Sequence, residues 1–158
     1  MLSHSLGNKF MQGLFETLNK QKRIERYINY WILVAPDIEN TIFSEENTHK
    51  NINKFVKNIV VYYSNRDLAL SLTGAYNKDK RLGKYGLQEN DLDKSNIIVI
   101  DVESVMVCNG LLSKIIQHNY FFTNNMVWND INDIIFKEDK FRNKKESTLS
   151  NSYKLLKT

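Results

Sequence analysis

Two kinds of hydrophobic pattern alternate along the chain. Three short runs are almost continuously apolar, whereas the stretches between them are polar or repeat their apolar residues with a helical period. Continuous apolarity is typical of parallel strands that are covered on both faces. We therefore predict three full strands, over residues 28–35, 55–63 and 97–102.

The first predicted helix extends from Leu6 to about Arg26. Phe10, Leu14 and Leu18, with the nearby Met11 and Phe15, fall near i, i+4, i+8 spacing, and polar residues fall largely between them. We expect this apolar face to pack on the sheet.

Two more helices are predicted after the second and third strands, one beginning near residue 68 and one covering residues 120–136. The apolar face of the last helix consists of Val127, Ile131, Ile134 and Ile135. Alternation of strands and helices implies right-handed crossovers and a parallel sheet between helical layers. The predicted fold class is α/β, with a mostly parallel sheet of about three full strands flanked by helices.

Charge divides the chain into a folded part and a tail. The net charge is +4 at pH 7, but residues 137–158 carry seven basic and three acidic residues, so residues 1–136 are neutral overall. We assign residues 1–136 to one folded domain. The tail is poor in hydrophobic residues and is expected to be solvated and disordered. The neutral domain disfavours a nucleic-acid partner.

The composition excludes several other classes of protein. Hydrophobic residues make up 42% of the chain, and no apolar run reaches the ~18 residues of a membrane span. The single cysteine, Cys108, excludes an internal disulfide and a cysteine-rich metal site. Neither a Gly-x-Gly-x-x-Gly motif nor a Gly-Lys-Ser/Thr loop occurs, so we expect no cofactor. Without a signal peptide at Met1 the default location is the cytoplasm, unless a signal was lost with a missing N-terminal segment.

The chemistry depends on the pentapeptide Ser3-His4-Ser5-Leu6-Gly7. It fits the pattern small-x-Ser-x-Gly of a nucleophile elbow, in which a sharp strand-to-helix turn lifts the serine hydroxyl above the sheet. The helix that follows would point its N-terminal dipole at the site, and the Leu6 amide would donate to an oxyanion. Alone the motif is weak, because short serine–glycine patterns arise by chance.

A nucleophilic serine needs a histidine base, and the chain has three histidines. His4 lies inside the turn and cannot be the base, and His49 lies in a polar stretch where a solvated histidine is expected. His118 follows the third strand and precedes the last helix, which is where this fold presents its base. The sequence therefore favours His118.

The acid of the triad must follow a strand between Ser5 and His118. Asp67 follows the second strand and Asp37 follows the first, at the strand ends where catalytic groups gather in α/β sheets. Asp67 is preferred because it follows the penultimate strand, and Asp37 stays open as an alternative acid. Asp101, at the end of the third strand, is a weaker candidate.

These residues lie within blocks that resemble the C-terminal half of a bacterial family of α/β-hydrolases of unknown function. The blocks follow family order and cover residues 2–8, 34–38, 61–71, 81–83, 100–102 and 118–121. The resemblance implies a triad of Ser5, Asp67 and His118. It also implies esterase-like or lipase-like hydrolysis of a small-molecule ester, with no metal.

Two departures from the family pattern bear on activity. Asn119 stands where the family usually has the serine of His-Ser-Tyr. The sequence matches the sixth to eighth of about eight strands, with Met1 and Leu2 ending the fifth, and the loop that supplies a second oxyanion donor is then absent. We therefore expect a truncated fragment with little or no activity alone, for which the missing N-terminal half would be a partner.

A non-catalytic α/β interaction module, or an inactive remnant of a hydrolase, is the alternative function. Such a module would keep the scaffold but would not bring Ser5 close to His118.

Overall fold

A computed structural model describes residues 1–22, 25, 27–44, 50–88, 96–106, 117–137, 144–146 and 151–156. This part of the chain forms one six-stranded sheet flanked by helices. The strands are β1 (Leu2–His4), β2 (Ile28–Val34), β3 (Val56–Tyr63), β4 (Ile97–Asp101), β5 (Lys144–Glu146) and β6 (Ser152–Leu155). Their order is β1-β2-β3-β4-β6-β5, and all neighbours are parallel except β5 and β6. The predicted mostly parallel α/β fold is confirmed.

Helices connect the parallel strands. They are α1 (Gly7–Lys20), α2 (Leu68–Asn77), α3 (Leu82–Tyr85), α4 (Tyr120–Thr123) and α5 (Asn125–Asn132). Single turns of 3₁₀ or π helix occupy Lys50–Lys54, Glu103–Val105, Gln117–Asn119 and Asp133–Lys137. None of the helices in the described ranges is long and apolar enough to cross a bilayer.

The sheet separates two hydrophobic cores. Trp31 and Leu33 of β2 face one core, together with Met11 and Phe15 of α1. Ile32, between them on the strand, faces the other core. Successive strand residues point to opposite faces, so a continuous apolar run supplies both cores.

The apolar residues predicted for α1 are buried to different degrees, and the partly buried Leu18 also packs against the core. Met11 and Phe15 are buried, whereas Phe10 is 77% exposed and Leu14 is 39% exposed. The helix also ends at Lys20, earlier than Arg26. The apolar residues form one wide stripe along this helix, and the periodicity alone could not show which edge of the stripe packs on the sheet.

The predicted helix over residues 120–136 is broken into α4 and α5. Asn124 between them is extended, with its side-chain oxygen accepting from the Met126 N–H and its Nδ2 donating to the Val105 carbonyl. An asparagine that caps a new helix in this way ends the preceding one. Ile134 is buried as expected, but Ile135 is 39% exposed, because the chain continues as a π turn.

The tail contributes strands where we expected disorder. Strand β6 pairs in parallel with β4, with Ile100 opposite Tyr153, and the Leu155 side chain is buried. Pairing with β4 satisfies backbone groups that an open strand edge would leave exposed. The stabilisation of β6 comes from hydrogen bonds of the main chain, which the polar composition of residues 137–158 does not reveal.

Candidate active site

Ser5 lies at a sharp turn between β1, which ends at His4, and α1, which begins at Gly7. Its backbone is left-handed, with φ of 50°, and its N–H donates to the Val34 carbonyl at 3.0 Å. A left-handed conformation costs a non-glycine residue roughly 1–2 kcal/mol, so neighbouring contacts must hold it. The strained turn is the geometry expected of a nucleophile elbow.

A buried polar network holds this turn. The Ser5 carbonyl accepts from the Asn8 N–H at 3.1 Å, the Asn8 Nδ2 at 2.9 Å and the Asp37 N–H at 3.2 Å. Asn8 Oδ1 in turn accepts from Ser3 Oγ at 2.6 Å, and Trp31 Nε1 donates to Ser3 Oγ at 2.8 Å. Sequence reasoning gave Asn8 and Trp31 no role in the site. The sequence held one sign of this network. Asn8 is a polar residue three positions before Met11, so it lies on the same side of the helix as a residue that packs on the sheet.

Ser5, His118 and Asp67 form a continuous chain of hydrogen bonds. Ser5 Oγ lies 2.6 Å from His118 Nε2, and His118 Nδ1 lies 2.7 Å from Asp67 Oδ2. An ionised carboxylate only accepts, which assigns the ring proton to Nδ1. His118 Nε2 is then free to accept the Ser5 hydroxyl proton, as a general base must.

The two carboxylate oxygens of Asp67 make different contacts. Its Oδ1 accepts from the Leu70 N–H at 3.0 Å and caps α2, while Oδ2 faces His118. The side chain is completely buried. A carboxylate is favoured at a helix N-terminus by the exposed amides and the helix dipole, so the cap also orients the oxygen that meets the histidine.

Asp37, the alternative acid, is directed elsewhere. Its Oδ1 accepts from Thr73 Oγ1 at 3.0 Å and lies 3.1 Å from Nε of the buried Arg81. The structure thus brings Asp67 to His118 and places Asp37 in an ion pair. Asp37 reaches the elbow only through its backbone N–H to the Ser5 carbonyl. Asp101, the weaker candidate, accepts from the Glu103 N–H and orders the turn after β4.

Of the other two histidines, His4 lies beside the site, with its ring centroid 5.0 Å from that of His118. His49 lies outside the described residues, as does Cys108.

A family model of alpha/beta hydrolases of unknown function (DUF900) matches residues 1–135 of the chain. The chain belongs to this family. No curated protein and no solved structure matches it significantly.

Tyr120 connects the segment that carries His118 to the sheet. Its hydroxyl donates to the Tyr62 carbonyl at 2.9 Å and accepts from the Ala35 N–H at 3.0 Å. Burial raises the pKa of Tyr120, so the hydroxyl keeps its proton and can donate. The residue two positions after His118 is therefore joined to the ends of both β2 and β3.

Gly83 sits between the two loops that carry the aspartates. Its N–H donates to the Pro36 carbonyl at 2.9 Å, and its carbonyl accepts from the Ser64 N–H at 3.0 Å. A Cβ at this position would lie 2.4 Å from the Ala35 carbonyl carbon and 2.5 Å from Pro36 N. Only glycine allows this approach, so Gly83 can hold both loops in register.

Leu6 occupies the position predicted for an oxyanion donor. It precedes the first residue of α1 and has helical angles, φ −60° and ψ −22°. The first backbone hydrogen bond of the turn runs from the Asn8 N–H to the Ser5 carbonyl. The Leu6 N–H comes two residues before that donor, at the N-terminal end of the helix. Helix N-termini of this kind stabilise negative charge.

Among the described residues, the clefts of about 330, 420 and 470 Å³ are lined by residues other than Ser5, Asp67 and His118. Across the described residues, no three His, Cys, Asp or Glu side chains converge as metal ligands.

Proposed function

We propose that this hydrolase is a serine hydrolase that cleaves carboxylic esters through an acyl-enzyme. The observation that carries the proposal is the unbroken hydrogen-bond chain from Ser5 through His118 to Asp67, on an elbow with a left-handed serine. Such a chain is what a weakly acidic hydroxyl needs to act as a nucleophile near neutral pH.

In acylation, Ser5 Oγ attacks the acyl carbon of the ester while His118 Nε2 accepts the hydroxyl proton. Asp67 accepts the Nδ1–H bond throughout, which holds the required tautomer and stabilises the imidazolium. The tetrahedral intermediate collapses as the carbon–oxygen bond to the alcohol breaks. His118 returns its proton to the departing alkoxide oxygen, which leaves an ester on Ser5.

In deacylation, water takes the place of the alcohol. His118 Nε2 accepts one proton from the water as its oxygen attacks the acyl carbon. The bond to Ser5 Oγ then breaks, and His118 returns the proton to that oxygen. The carboxylic acid leaves and the serine is restored.

The Leu6 amide is the one oxyanion donor that the sequence identifies. One such donor is worth about 10²- to 10³-fold in rate. A covalent probe needs only a single reaction of Ser5, so it is a better first test than a turnover assay.

The alternative, a non-catalytic interaction module, predicts that Ser5 and His118 lie apart. Their side chains lie 2.6 Å from each other, which favours the hydrolase. Nothing in the ion pair of Asp37 or in the buried network at Asn8 requires a histidine beside the serine, so these structural contacts do not explain the triad.

The test is reaction of the full chain with a fluorophosphonate, followed by intact mass and peptide mapping. We expect a single adduct on Ser5, no adduct in Ser5→Ala, and normal labelling in Ser44→Ala, which alters a serine in another loop. A panel of p-nitrophenyl esters of increasing acyl length would then define the substrate class. Labelling that persists in Ser5→Ala, or no labelling of a folded wild-type chain, would reject the proposal.

A further inference from the structure

His4 contacts the main chain of the histidine that we assign as base. Its Nε2 lies 3.0 Å from the His118 carbonyl oxygen, and since a carbonyl only accepts, His4 donates through Nε2–H. The ring packs between two aromatic neighbours, with centroids 6.3 Å from Phe121 and 5.4 Å from Phe122. Both the hydrogen bond and the packing orient the His4 ring.

This contact connects the two halves of the site. His4 is the last residue of β1 and precedes Ser5, whereas His118 lies in the short 3₁₀ turn before α4. The two residues are 114 positions apart in sequence. The nucleophile's own strand therefore holds the backbone of the base, through one hydrogen bond that does not involve the His118 ring.

We propose that His4 is a positioning residue, whose Nε2–H bond to the His118 carbonyl keeps the His118 ring in line between Ser5 and Asp67. The inference rests on the proposed function for its kinetic part. Its structural part, the orientation of the His118 ring, can be measured whether or not the chain turns over an ester.

His4 is suited to this task because it stays uncharged. Burial lowers the pKa of His4, against a smaller opposing effect of its bond to the His118 carbonyl. A neutral ring at this place does not repel the imidazolium that forms on His118 during the reaction. A lysine or arginine would offer the same donor but would place a positive charge beside that imidazolium.

The test compares His4→Gln with His4→Met, two side chains of equal length of which only glutamine can donate. We expect the methionine variant to lose roughly tenfold in labelling rate and in kcat, with KM little changed, as for the loss of one hydrogen bond. The glutamine variant should recover most of that loss. Phe136→Leu is the control, because it changes an exposed phenylalanine and leaves both the hydrogen bond and the packing of His4 in place, so labelling should match the wild type.

Nitrogen-15 spectra of the histidines give the second readout. In the wild type, the His118 Nδ1–H signal should be sharp and shifted downfield by its bond to Asp67. We expect it to broaden in His4→Met and to return in His4→Gln. His4→Phe, which keeps an aromatic ring, replaces His4→Met if that variant does not fold.

The outcomes separate the two proposals. An unlabelled wild type with a His118 signal that responds to His4 would reject the hydrolase and keep the positioning role. Equal rates and equal His118 spectra in His4→Met and the wild type, or no recovery in a folded His4→Gln, would overturn the positioning role.

Discussion

The loops that follow β2 and β3 carry two aspartates in matching places but with different partners. Asp37 and Asp67 are both buried and both follow a parallel strand. Asp67 caps α2 and faces His118, whereas Asp37 faces Arg81. Burial at the carboxyl end of a strand therefore does not by itself identify a catalytic acid. The partner, which comes from a distant part of the chain, decides it.

The two loops also depend on each other. Gly83 links them through the carbonyl of Pro36 and the N–H of Ser64, and the Asp37 N–H supports the Ser5 carbonyl. The Asp37 loop thus supports Ser5 through its backbone, and the Asp67 loop supports His118 through its side chain.

The largest effect on rate is expected from Asp67→Asn. The amide cannot hold the His118 tautomer in the same way, so labelling of Ser5 should slow by about 10³- to 10⁴-fold. Asn Oδ1 can still accept from the Leu70 N–H, so the cap of α2 and the melting temperature should be nearly preserved. Labelling with a fluorophosphonate, quenched at successive times, measures the rate. A decrease of less than tenfold in the labelling rate would argue against Asp67 as the acid.

Asp37→Asn should show the reverse pattern. The buried Arg81 would lose one of its two carboxylate partners, which is expected to cost about 3 kcal/mol of unfolding free energy. The labelling rate should stay near that of the wild type, because only the Asp37 backbone touches the elbow. Urea denaturation measures the loss of stability, and fluorophosphonate labelling of the same sample measures the rate. A rate loss comparable to that of Asp67→Asn would reverse the assignment of the two residues.

Gly83→Ala should disturb both loops together. Its Cβ would overlap the backbone of Ala35 and Pro36, and we expect a loss of about 1–3 kcal/mol together with slower labelling. Gly13→Ala is the matched control, because no atom lies within 4 Å of a Cβ there. It should stabilise α1 by up to about 1 kcal/mol. Equal stability of the two alanine variants would contradict the close approach at Gly83.

Tyr120→Phe is expected to have the smallest effect. It removes the hydroxyl that joins the ends of β2 and β3, at about 1 kcal/mol, and Ala35 N–H keeps its bond to the Tyr62 carbonyl. Labelling should slow by a few fold as the His118 segment loosens. Tyr76→Phe, at an exposed tyrosine, serves as control. A Tyr120→Phe variant that matches this control in rate and melting temperature would remove Tyr120 from the support of the site.

Much of the fold could be predicted from local pattern. The three apolar runs became β2, β3 and β4, since a run that is apolar at every position can be buried only between two layers. The pattern of hydrophobic residues failed to predict the structure where the local sequence was compatible with more than one structure. Helix α1 has a wide apolar stripe of which only one edge is fully buried, and the polar segment at Ser152–Leu155 became a strand because the β4 edge lay open to pair with it.

The sequence by itself determined the elbow pattern, the order of serine, candidate aspartates and histidine along the chain, and the family to which the chain belongs. Each of these depends on residue type and spacing along the chain. Only the tertiary structure showed that Asp67, and not Asp37, contacts His118, and only it placed Asn8, Tyr120 and the ring of His4 around Ser5 and His118. The physical reason is that a hydrogen bond acts over about 3 Å in space, and its partners here come from elements far apart in sequence.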